Sequence, residues 1–333
     1  MIKATFFTSS FYINNRQFDI SDNVVNMNDT MYGFYVLKEK FKERQIDLST
    51  QDINLPDESE FIIYNEMPGI KDINPNMNNY LLMFESKVVR PDNWNTGNHS
   101  YFRKIFTWDD ELVDGEKYIK LNYPHKIPEE MDYQIDKKEK LCVMIASHKI
   151  FERPNELYTE RIKAIRWFEQ NHPEDFDLYG HGWDSYWFKG NLAILNRSHL
   201  LTKLLRPKYP SFKYPAPSRE VLPKYKFAIC YENARDVAGY ITEKIFNCFF
   251  SGCVPVYWGA PNVTDYIPEE TFIDKRKFNS FEEIYDFLKT MPDEQYLRYL
   301  ASIRNFIKSP KIYPFSADSF AHTIIREIMK KDN

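Results

Sequence analysis

The hydrophobic residues of the first 130 positions fall into two spacings, one typical of strands and one typical of a helix. ATFFTS, FIIYNE and YLLMFES are short apolar runs of the kind found in buried strands. In MYGFYVLKEKFKERQ, the residues Phe34, Leu37 and Phe41 recur at the interval of one helix face. The order strand, helix, strand, strand predicts an α/β domain over residues 1–130.

A second α/β pattern follows a segment that is rich in proline and charge. Residues 123–140 have no apolar period, and we place a linker between two domains at residues 131–139. Beyond it, strand candidates alternate with helix candidates, which predicts a doubly wound domain over residues 140–315. The strand candidates are LCVMIAS, FDLYGHGW, YKFAICYEN, CVPVYWG and TFIDK, and the helix candidates are NELYTERIKAIRWFEQN, with Asn155 as its N-cap, and residues 241–251, 280–290 and 293–308.

The end of the chain, residues 316–333, predicts one more helix. Phe320, Ile324, Ile325 and Ile328 fall on one face of it. An amphipathic helix of this kind needs another apolar surface to cover that face, so we expect it to pack on one of the two domains.

The composition agrees with a two-domain globular protein and excludes several classes. The 333 residues exceed what a single core usually fills. A net charge of −4 without a polybasic block argues against a nucleic acid partner. No run approaches the roughly 20 apolar residues of a membrane span. The four cysteines lack CxxC spacing and lie in apolar runs. We therefore expect buried thiols in a reducing compartment, and a cytoplasmic protein that is at most peripheral to a membrane.

Polar residues cluster where the strand YKFAICYE ends and the helix 241–251 begins. In open α/β sheets ligands bind beyond the carboxyl ends of the strands, and a helix N-terminus there favours phosphate. Glu243 and Lys244 fall outside the core face of the helix, and Gly239 permits a tight approach before it. A carboxylate at Glu243 can accept hydrogen bonds from a ribose diol, Lys244 can neutralise a diphosphate, and Tyr240 can stack on a ring or donate to phosphate. The alternative is that Glu243 complements the helix dipole and Lys244 is solvated.

Residues 225–262 resemble the signature of the α-1,3-fucosyltransferases, glycosyltransferase family 10. The run YKFAICYENARDVAGYITEKIFNCFFSGCVPVYWGAPN has the family's aromatic-Glu-Asn, Tyr-Ile-Thr-Glu-Lys and Pro-Val-x-x-Gly elements in order. YLLMFES, FRKIFTWDDELVDGEKYIKLNYP and NELYTERIKAI are weaker similarities. The resemblance implies a GT-B fold, in which two Rossmann-like domains face a central cleft. The first domain would bind the acceptor and the second GDP-fucose, with the C-terminal helix packing back towards the first.

The resemblance also implies which residues bind the donor. Glu243 would bind the ribose hydroxyls, and Lys244, Arg161, Tyr240 and Asn233 would hold GDP-fucose, mainly its phosphates. The predicted helix also offers Arg166, but we prefer Arg161 because it is nearer the helix start. Glu232 would either hold the loop 233–239 in place or approach the fucose. No metal or other cofactor is implied, and we interpret Asp175-Phe-Asp177 as a turn and strand start.

On the acceptor side, the resemblance assigns Glu85 as the general base, with a local salt bridge to Lys87 as the alternative role. The implied function is inverting transfer of fucose from GDP-fucose to O3 of N-acetylglucosamine, or glucose, in a β-galactoside such as N-acetyllactosamine, giving Lewis x-type glycans. The motif FES differs from the Gly-Glu-Asn common in bacterial relatives, so the acceptor does not follow from the bacterial pattern. Three alternatives remain open: a different GDP-sugar donor, transfer to O4, and a non-catalytic nucleotide-sugar-binding module.

Overall fold

A computed structural model of the chain describes residues 1–330 apart from residues 132, 134, 187 and 189. Two positions of the predicted linker, 132 and 134, and the last three of the predicted C-terminal helix, 331–333, therefore lie outside the described residues. The division into domains at 131–139 stays a prediction.

The first sheet has six described strands, all parallel, in the order β2-β1-β3-β4-β5-β6. The predicted runs form β1, β3 and β4; β5 and β6 were not among the strand candidates, and neither was β2. That strand, IDLST, is poor in apolar residues because Ser49 and Thr50 bind Asn15 instead of packing in a core. The bounds are β1 Ile2–Phe7, β2 Ile46–Thr50, β3 Phe61–Asn65, β4 Asn78–Met83, β5 Lys104–Thr107 and β6 Tyr118–Lys120.

The second sheet has five described strands, also parallel, in the order β11-β10-β9-β7-β8. Each one lies where an apolar run predicts it. The bounds are β7 Lys140–Ile145, β8 Phe176–Tyr179, β9 Tyr225–Tyr231, β10 Val254–Trp258 and β11 Ile273–Asp274. Two parallel sheets, each with its own core, confirm the predicted α/β class.

The predicted helices are present, with one correction. The helices are α1 Tyr32–Lys42, α2 Tyr158–Asn171, α3 His199–Leu204, α4 Ser218–Val221, α5 Glu243–Phe250, α6 Phe281–Lys289, α7 Asp293–Lys308 and α8 Ala317–Met329. Asn155 is not the N-cap of α2, because the helix begins after Leu157. Asn155 instead has a left-handed backbone, with φ 62°, and its carbonyl accepts the Arg235 N–H at 2.8 Å.

The helix α8 connects the end of the chain with the first sheet. Phe320 and Ile324 lie in one core cluster with Phe34 and Leu37 of α1. The rings of Phe34 and Phe320 are 5.7 Å apart, and Phe84, directly after β4, packs on the same ring at 6.0 Å. The apolar face predicted for the C-terminal helix is thus covered by the first sheet and its helix.

Candidate functional site

The candidate site is a cleft at the carboxyl ends of β4, β7 and β9. It has a volume of about 520 Å³ and is lined by residues from both sheets. Five of the predicted site residues line it together: Glu85, Arg161, Asn233, Glu243 and Lys244. Glu85 and Lys244, more than 150 residues apart in the chain, therefore lie in one cleft. In open parallel sheets, ligands bind at this edge, beyond the carboxyl ends of the strands.

Glu232 fastens the start of α5 to the end of β9. Its side chain is fully buried, and its two carboxylate oxygens accept the Thr242 N–H at 2.9 Å and the Thr242 hydroxyl at 2.7 Å. The Lys244 Nζ lies 3.3 Å from the same carboxylate. Of the two roles left open for Glu232, these contacts favour holding the loop and the helix start. Glu232 does not line the cleft.

Lys244 lies between two carboxylates. Its Nζ is 3.3 Å from Glu232 and 3.3 Å from Glu243. Burial opposes the charge of Lys244, but the Glu243 and Glu232 carboxylates outweigh it and raise the pKa of the ammonium. Burial also opposes the charge of Glu243, and Lys244 outweighs it, so the pKa of that carboxyl is lowered. Both groups are held in their charged forms, and Lys244, at 22% exposed, is not a solvated surface lysine.

Arg161 is the arginine that α2 presents to the cleft. It is 4% exposed, and its Nη2 donates to the Tyr231 carbonyl at 2.7 Å and to Asn233 Oδ1 at 3.0 Å. Its guanidinium also lies 4.8 Å from the Tyr158 ring centre. Arg166, the alternative on the same helix, contacts Glu169 and the Lys208 carbonyl instead. The geometry therefore favours Arg161 as the arginine available to a ligand.

Tyr240 lies behind the cleft wall. It is 1% exposed, and its ring packs on Trp108 at 4.6 Å. Among the residues that the structure describes, its buried hydroxyl has no hydrogen-bond partner. The predicted stacking on a ligand ring does not fit this burial, and Tyr240 does not line the cleft, so its contact with the donor stays a prediction.

The loop 233–239 is fixed to its surroundings by backbone hydrogen bonds. The N–H groups of Arg235 and Asp236 donate to the carbonyls of Asn155 at 2.8 Å and Gly259 at 3.4 Å. Gly239 has a φ of 80° and donates to Asn262 Oδ1 at 2.9 Å. A β carbon there would lie 2.3 Å from the Trp108 carbonyl, so the predicted tight approach requires glycine at this position.

A second cavity, of about 310 Å³, adjoins the first. Its lining includes aromatic side chains and polar groups of the first sheet, among them Tyr12, Asn65, Glu66, Phe84 and Tyr123. Glu85, Glu243 and Asn247 line both cavities. They therefore mark the junction between a cleft whose lining includes Lys149, Arg161 and Lys244 and a cavity rich in aromatic rings.

Glu85 is available for chemistry at this junction. Within the described part of the chain its carboxylate forms no hydrogen bond or ion pair, and Lys87, the alternative partner, is exposed. Burial raises the pKa of Glu85, while Lys244 acts in the opposite direction. An unpaired carboxylate with a raised pKa has the properties of a general base.

Sequence reasoning missed Glu66, Lys149 and Asn247. Glu66 directly follows β3, and Lys149 follows β7 by a few residues, so the rule on strand ends could have found both. Asn247 lies one turn after Glu243 on α5, and only its helical spacing indicates that it shares the cleft.

Asp175 and Asp177 have structural roles, as predicted. Asp177 is buried and pairs with Lys140 at 3.0 Å, and Asp175 pairs with Lys289 at 2.6 Å. In the described ranges, no three His, Cys, Asp or Glu side chains lie close enough together to hold a metal ion. No helix of the described chain has the length and apolar character needed to cross a membrane.

The comparison with known proteins agrees with this geometry. Residues 207–313 match the profile described as "Glycosyltransferase family 10 (fucosyltransferase) C-term". The chain is 40% identical over 70 residues to an α-(1,3)-fucosyltransferase of Helicobacter pylori, and 43% identical over 70 residues to an α-(1,4)-fucosyltransferase of Arabidopsis thaliana. Each match covers 21% of this chain, but only 14% and 17% of the relatives' own lengths.

The fold extends the similarity to the rest of the chain. A crystal structure of an α1,3-fucosyltransferase with GDP-fucose superposes with a TM-score of 0.56 at 16% identity, covering 100% of this chain and 91% of that one. The predicted GT-B fold and the predicted resemblance to family 10 are thus confirmed. The sequence evidence for the family lies in the second half, which carries β9, α5 and β10.

Proposed function

We propose that this chain is an inverting α-1,3-fucosyltransferase that moves fucose from GDP-fucose to O3 of N-acetylglucosamine, or glucose, in a β-galactoside such as N-acetyllactosamine. One observation carries the proposal. The unpaired Glu85 stands at the junction of the basic cleft and the aromatic cavity. A transferase needs this arrangement, because its base must reach the acceptor hydroxyl next to the donor's leaving group.

The basic cleft is the donor site in this proposal. The positive N-terminal end of α5 and the charges of Lys244 and Arg161 would surround the diphosphate. Glu243 would then release Lys244 and accept hydrogen bonds from the ribose hydroxyls. Asn233 is already oriented by Arg161 and would contact the same ligand. Each charge-assisted hydrogen bond to phosphate would contribute roughly 1.5–3 kcal/mol.

The aromatic cavity is the acceptor site. Tyr12 and Tyr123 offer flat faces for the C–H surfaces of sugar rings, and Asn65 and Glu66 offer polar groups for hydroxyls. The acceptor hydroxyl would lie against Glu85, with the fucose ring between it and the diphosphate.

The reaction in this arrangement is a single displacement. Glu85 takes the proton of the acceptor hydroxyl while the oxygen forms a bond to C1 of fucose from the side opposite the diphosphate. The bond between C1 and the phosphate oxygen breaks, and GDP leaves with the electron pair. Lys244, Arg161 and the α5 N-terminus would stabilise the charge that develops on the departing phosphate.

A second candidate is transfer to O4, which the similarity to the α-(1,4)-fucosyltransferase of Arabidopsis thaliana favours. The same donor site and base would serve both reactions. The two differ in which hydroxyl the aromatic cavity presents to Glu85.

Transfer of labelled fucose separates these candidates. The chain is incubated with GDP-fucose and either Galβ1-4GlcNAc, which has a free O3, or Galβ1-3GlcNAc, which has a free O4 on N-acetylglucosamine. We expect an α-linked product on the first acceptor, identified by the NMR coupling of the fucose anomeric proton. Product on the second acceptor alone would favour transfer to O4. Turnover of GDP-mannose, without turnover of GDP-fucose, would contradict the donor assignment.

A further inference from the structure

Glu66 has an unusual backbone conformation beside the proposed base. It directly follows β3 with a φ of 71°, in the left-handed region that side chains with a β carbon disfavour. Such conformations persist only where the surrounding contacts hold them, and they cluster at functional sites. The hydrogen bonds that hold Glu66 in this conformation therefore indicate which neighbouring segment it supports.

Those contacts fasten the segment that carries Glu85. The Glu66 carboxylate oxygen Oε1 accepts the N–H groups of Phe84 at 3.1 Å and of Glu85 at 3.0 Å. The Glu66 N–H donates to the Leu82 carbonyl at 2.9 Å. Glu66 thus binds the backbone at Leu82, Phe84 and Glu85, where β4 ends, and this backbone directs the Glu85 side chain to the junction of the two cavities.

Glu66 is in turn held by a buried side chain. Asn93, which is fully buried, donates its Nδ2 to the second oxygen of Glu66 and accepts the Met67 N–H on its Oδ1 at 2.8 Å. The orientation of the Asn93 amide is fixed by these two contacts. Because both Glu66 oxygens accept hydrogen bonds, the ionised carboxylate satisfies every contact around it.

The two carboxylates influence each other's ionisation. Burial raises the pKa of Glu66 to about 7, the Asn93 amide opposes the rise, and Glu85 adds to it. Around Glu85 the charged groups are Lys244 and Glu243 from α5, Lys149 after β7, and Arg90 on its own connection. The phenols of Tyr123, Tyr158 and Tyr240 face it as well. Glu66 and Glu85 therefore titrate as a pair in a site that contains both signs of charge.

We propose that Glu66 is a positioning residue for Glu85, which fixes the backbone behind the base and keeps a negative charge beside it. The fixed backbone presents the Glu85 carboxylate to both cavities. Glu66 carries its negative charge above about pH 7, and there the charge favours proton uptake by Glu85, which makes Glu85 a stronger base. The inference rests on the proposed function, in which Glu85 takes the proton of the acceptor hydroxyl.

The test is the pH profile of fucose transfer by Glu66→Gln. The substitution keeps one oxygen for the Phe84 and Glu85 amides and removes the charge. We expect kcat to fall by at least about tenfold, because the base is less well placed and weaker. We also expect the acidic limb of the kcat profile to move to lower pH, while the Kd for GDP stays within about twofold of the native value.

A second variant separates the charge from the hydrogen bonds. In Glu66→Gln the new amide faces the Asn93 amide, so two donors meet. The double variant Glu66→Gln/Asn93→Asp gives the new amide of residue 66 an acceptor at residue 93. It also moves the negative charge from residue 66 to residue 93, which contacts residue 66 and not Glu85. We expect the double variant to recover the native melting temperature. The acidic limb of its kcat profile should still lie at a lower pH than that of the native chain. If Glu66→Gln fails to fold, this variant carries the measurement.

The matched control is Asp109→Asn. Asp109 is a buried carboxylate of the first sheet region with a raised pKa, caused mainly by burial, and it hydrogen-bonds the Glu111 N–H away from Glu85. We expect the acidic limb of the kcat profile of Asp109→Asn to lie at the same pH as that of the native chain. An unshifted limb in both Glu66 variants, or an equal shift in Asp109→Asn, would overturn the inference. Absence of transfer by the native chain at every pH would instead contradict the proposed function, and the inference would fall with it.

Discussion

Lys244 links the proposed donor site to the stability of the fold. It neutralises Glu232, a fully buried carboxylate, and it stands at the start of α5 in the basic cleft. Burying a charge without a partner is costly, so the lysine stabilises the fold even before a ligand arrives. A donor diphosphate would share an ammonium that is already positioned by two carboxylates.

We predict that Lys244→Ala weakens GDP binding by about 10- to 100-fold, the effect of one charge-assisted hydrogen bond to phosphate. The same substitution leaves Glu232 unpaired and should lower the free energy of unfolding by about 3 kcal/mol. Titration calorimetry with GDP and urea denaturation measure the two effects.

Two further variants make this prediction specific. Glu232→Gln/Lys244→Ala removes the buried charge as well, so it should recover most of the stability but none of the GDP affinity. Lys87→Ala removes an exposed lysine two residues from Glu85 and should change neither quantity. Native GDP affinity in Lys244→Ala would contradict the donor assignment.

Single residues show what the sequence could and could not predict about the site. Glu243 and Lys244 follow from the pattern alone, because a strand end and a helix start bracket them. The rule on strand ends can find Glu66, but its hydrogen bonds to the Phe84 and Glu85 N–H groups depend on β3 lying beside β4, and a sequence does not show that strand order. The burial of Tyr240 depends on Trp108, which is 132 residues away in the chain, and spacing carries no information on such a contact.

The strands and helices were predictable where their residues pack on both sides. The runs of β7, β9 and β10 are continuously apolar because helices cover both faces of a parallel sheet. The edge strand β2 escaped the prediction because its polar side chains bind neighbouring loops. The start of α2 was misplaced by two residues because Asn155 forms a turn before the helix rather than a cap.

The junction between β9 and α5 depends on one glycine. We predict that Gly239→Ala lowers the free energy of unfolding by about 3 kcal/mol, since it adds a steric conflict with the Trp108 carbonyl to a strained positive φ. GDP affinity should fall with it, because the loop 233–239 and the start of α5 must shift. Urea denaturation and calorimetry measure both.

Gly115→Ala is the matched control for this substitution. Gly115 also has a positive φ, 78°, but no atom lies within 4 Å of its added β carbon. The substitution should cost only about 1 kcal/mol, the strain of the backbone conformation. If the two variants lost the same free energy of unfolding, the steric conflict with the Trp108 carbonyl would contribute nothing to the effect of Gly239→Ala.

Contacts of α8 and of Asp110 join the two halves of the molecule. The helix α8, at the end of the chain, packs on α1 and on Phe84, directly before the proposed base. In a second contact, Asp110 of the first half accepts a hydrogen bond from Asn262 at 2.8 Å, and the Asn262 oxygen accepts one from the Gly239 N–H. The sequence predicted the two α/β units, whereas these joining contacts emerge only from the fold.

We predict that Phe320→Ala lowers the free energy of unfolding by about 3–5 kcal/mol, because a buried ring shared by α8, α1 and Phe84 is lost. Phe11→Ala removes a ring that is 51% exposed and should change stability by less than about 0.5 kcal/mol. Thermal and urea denaturation compare the two. Similar stabilities would contradict the role of α8 as part of the first core.

The central claim is that the two cavities and Glu85 form one transfer site, and Glu85→Gln tests it most directly. Fucose transfer to N-acetyllactosamine and GDP affinity are measured on the same preparations of the native chain and the variant. We predict a GDP Kd within about twofold of native and a kcat reduced by at least about 100-fold, the effect of losing a general base. Transfer by the variant at the native rate would contradict the account.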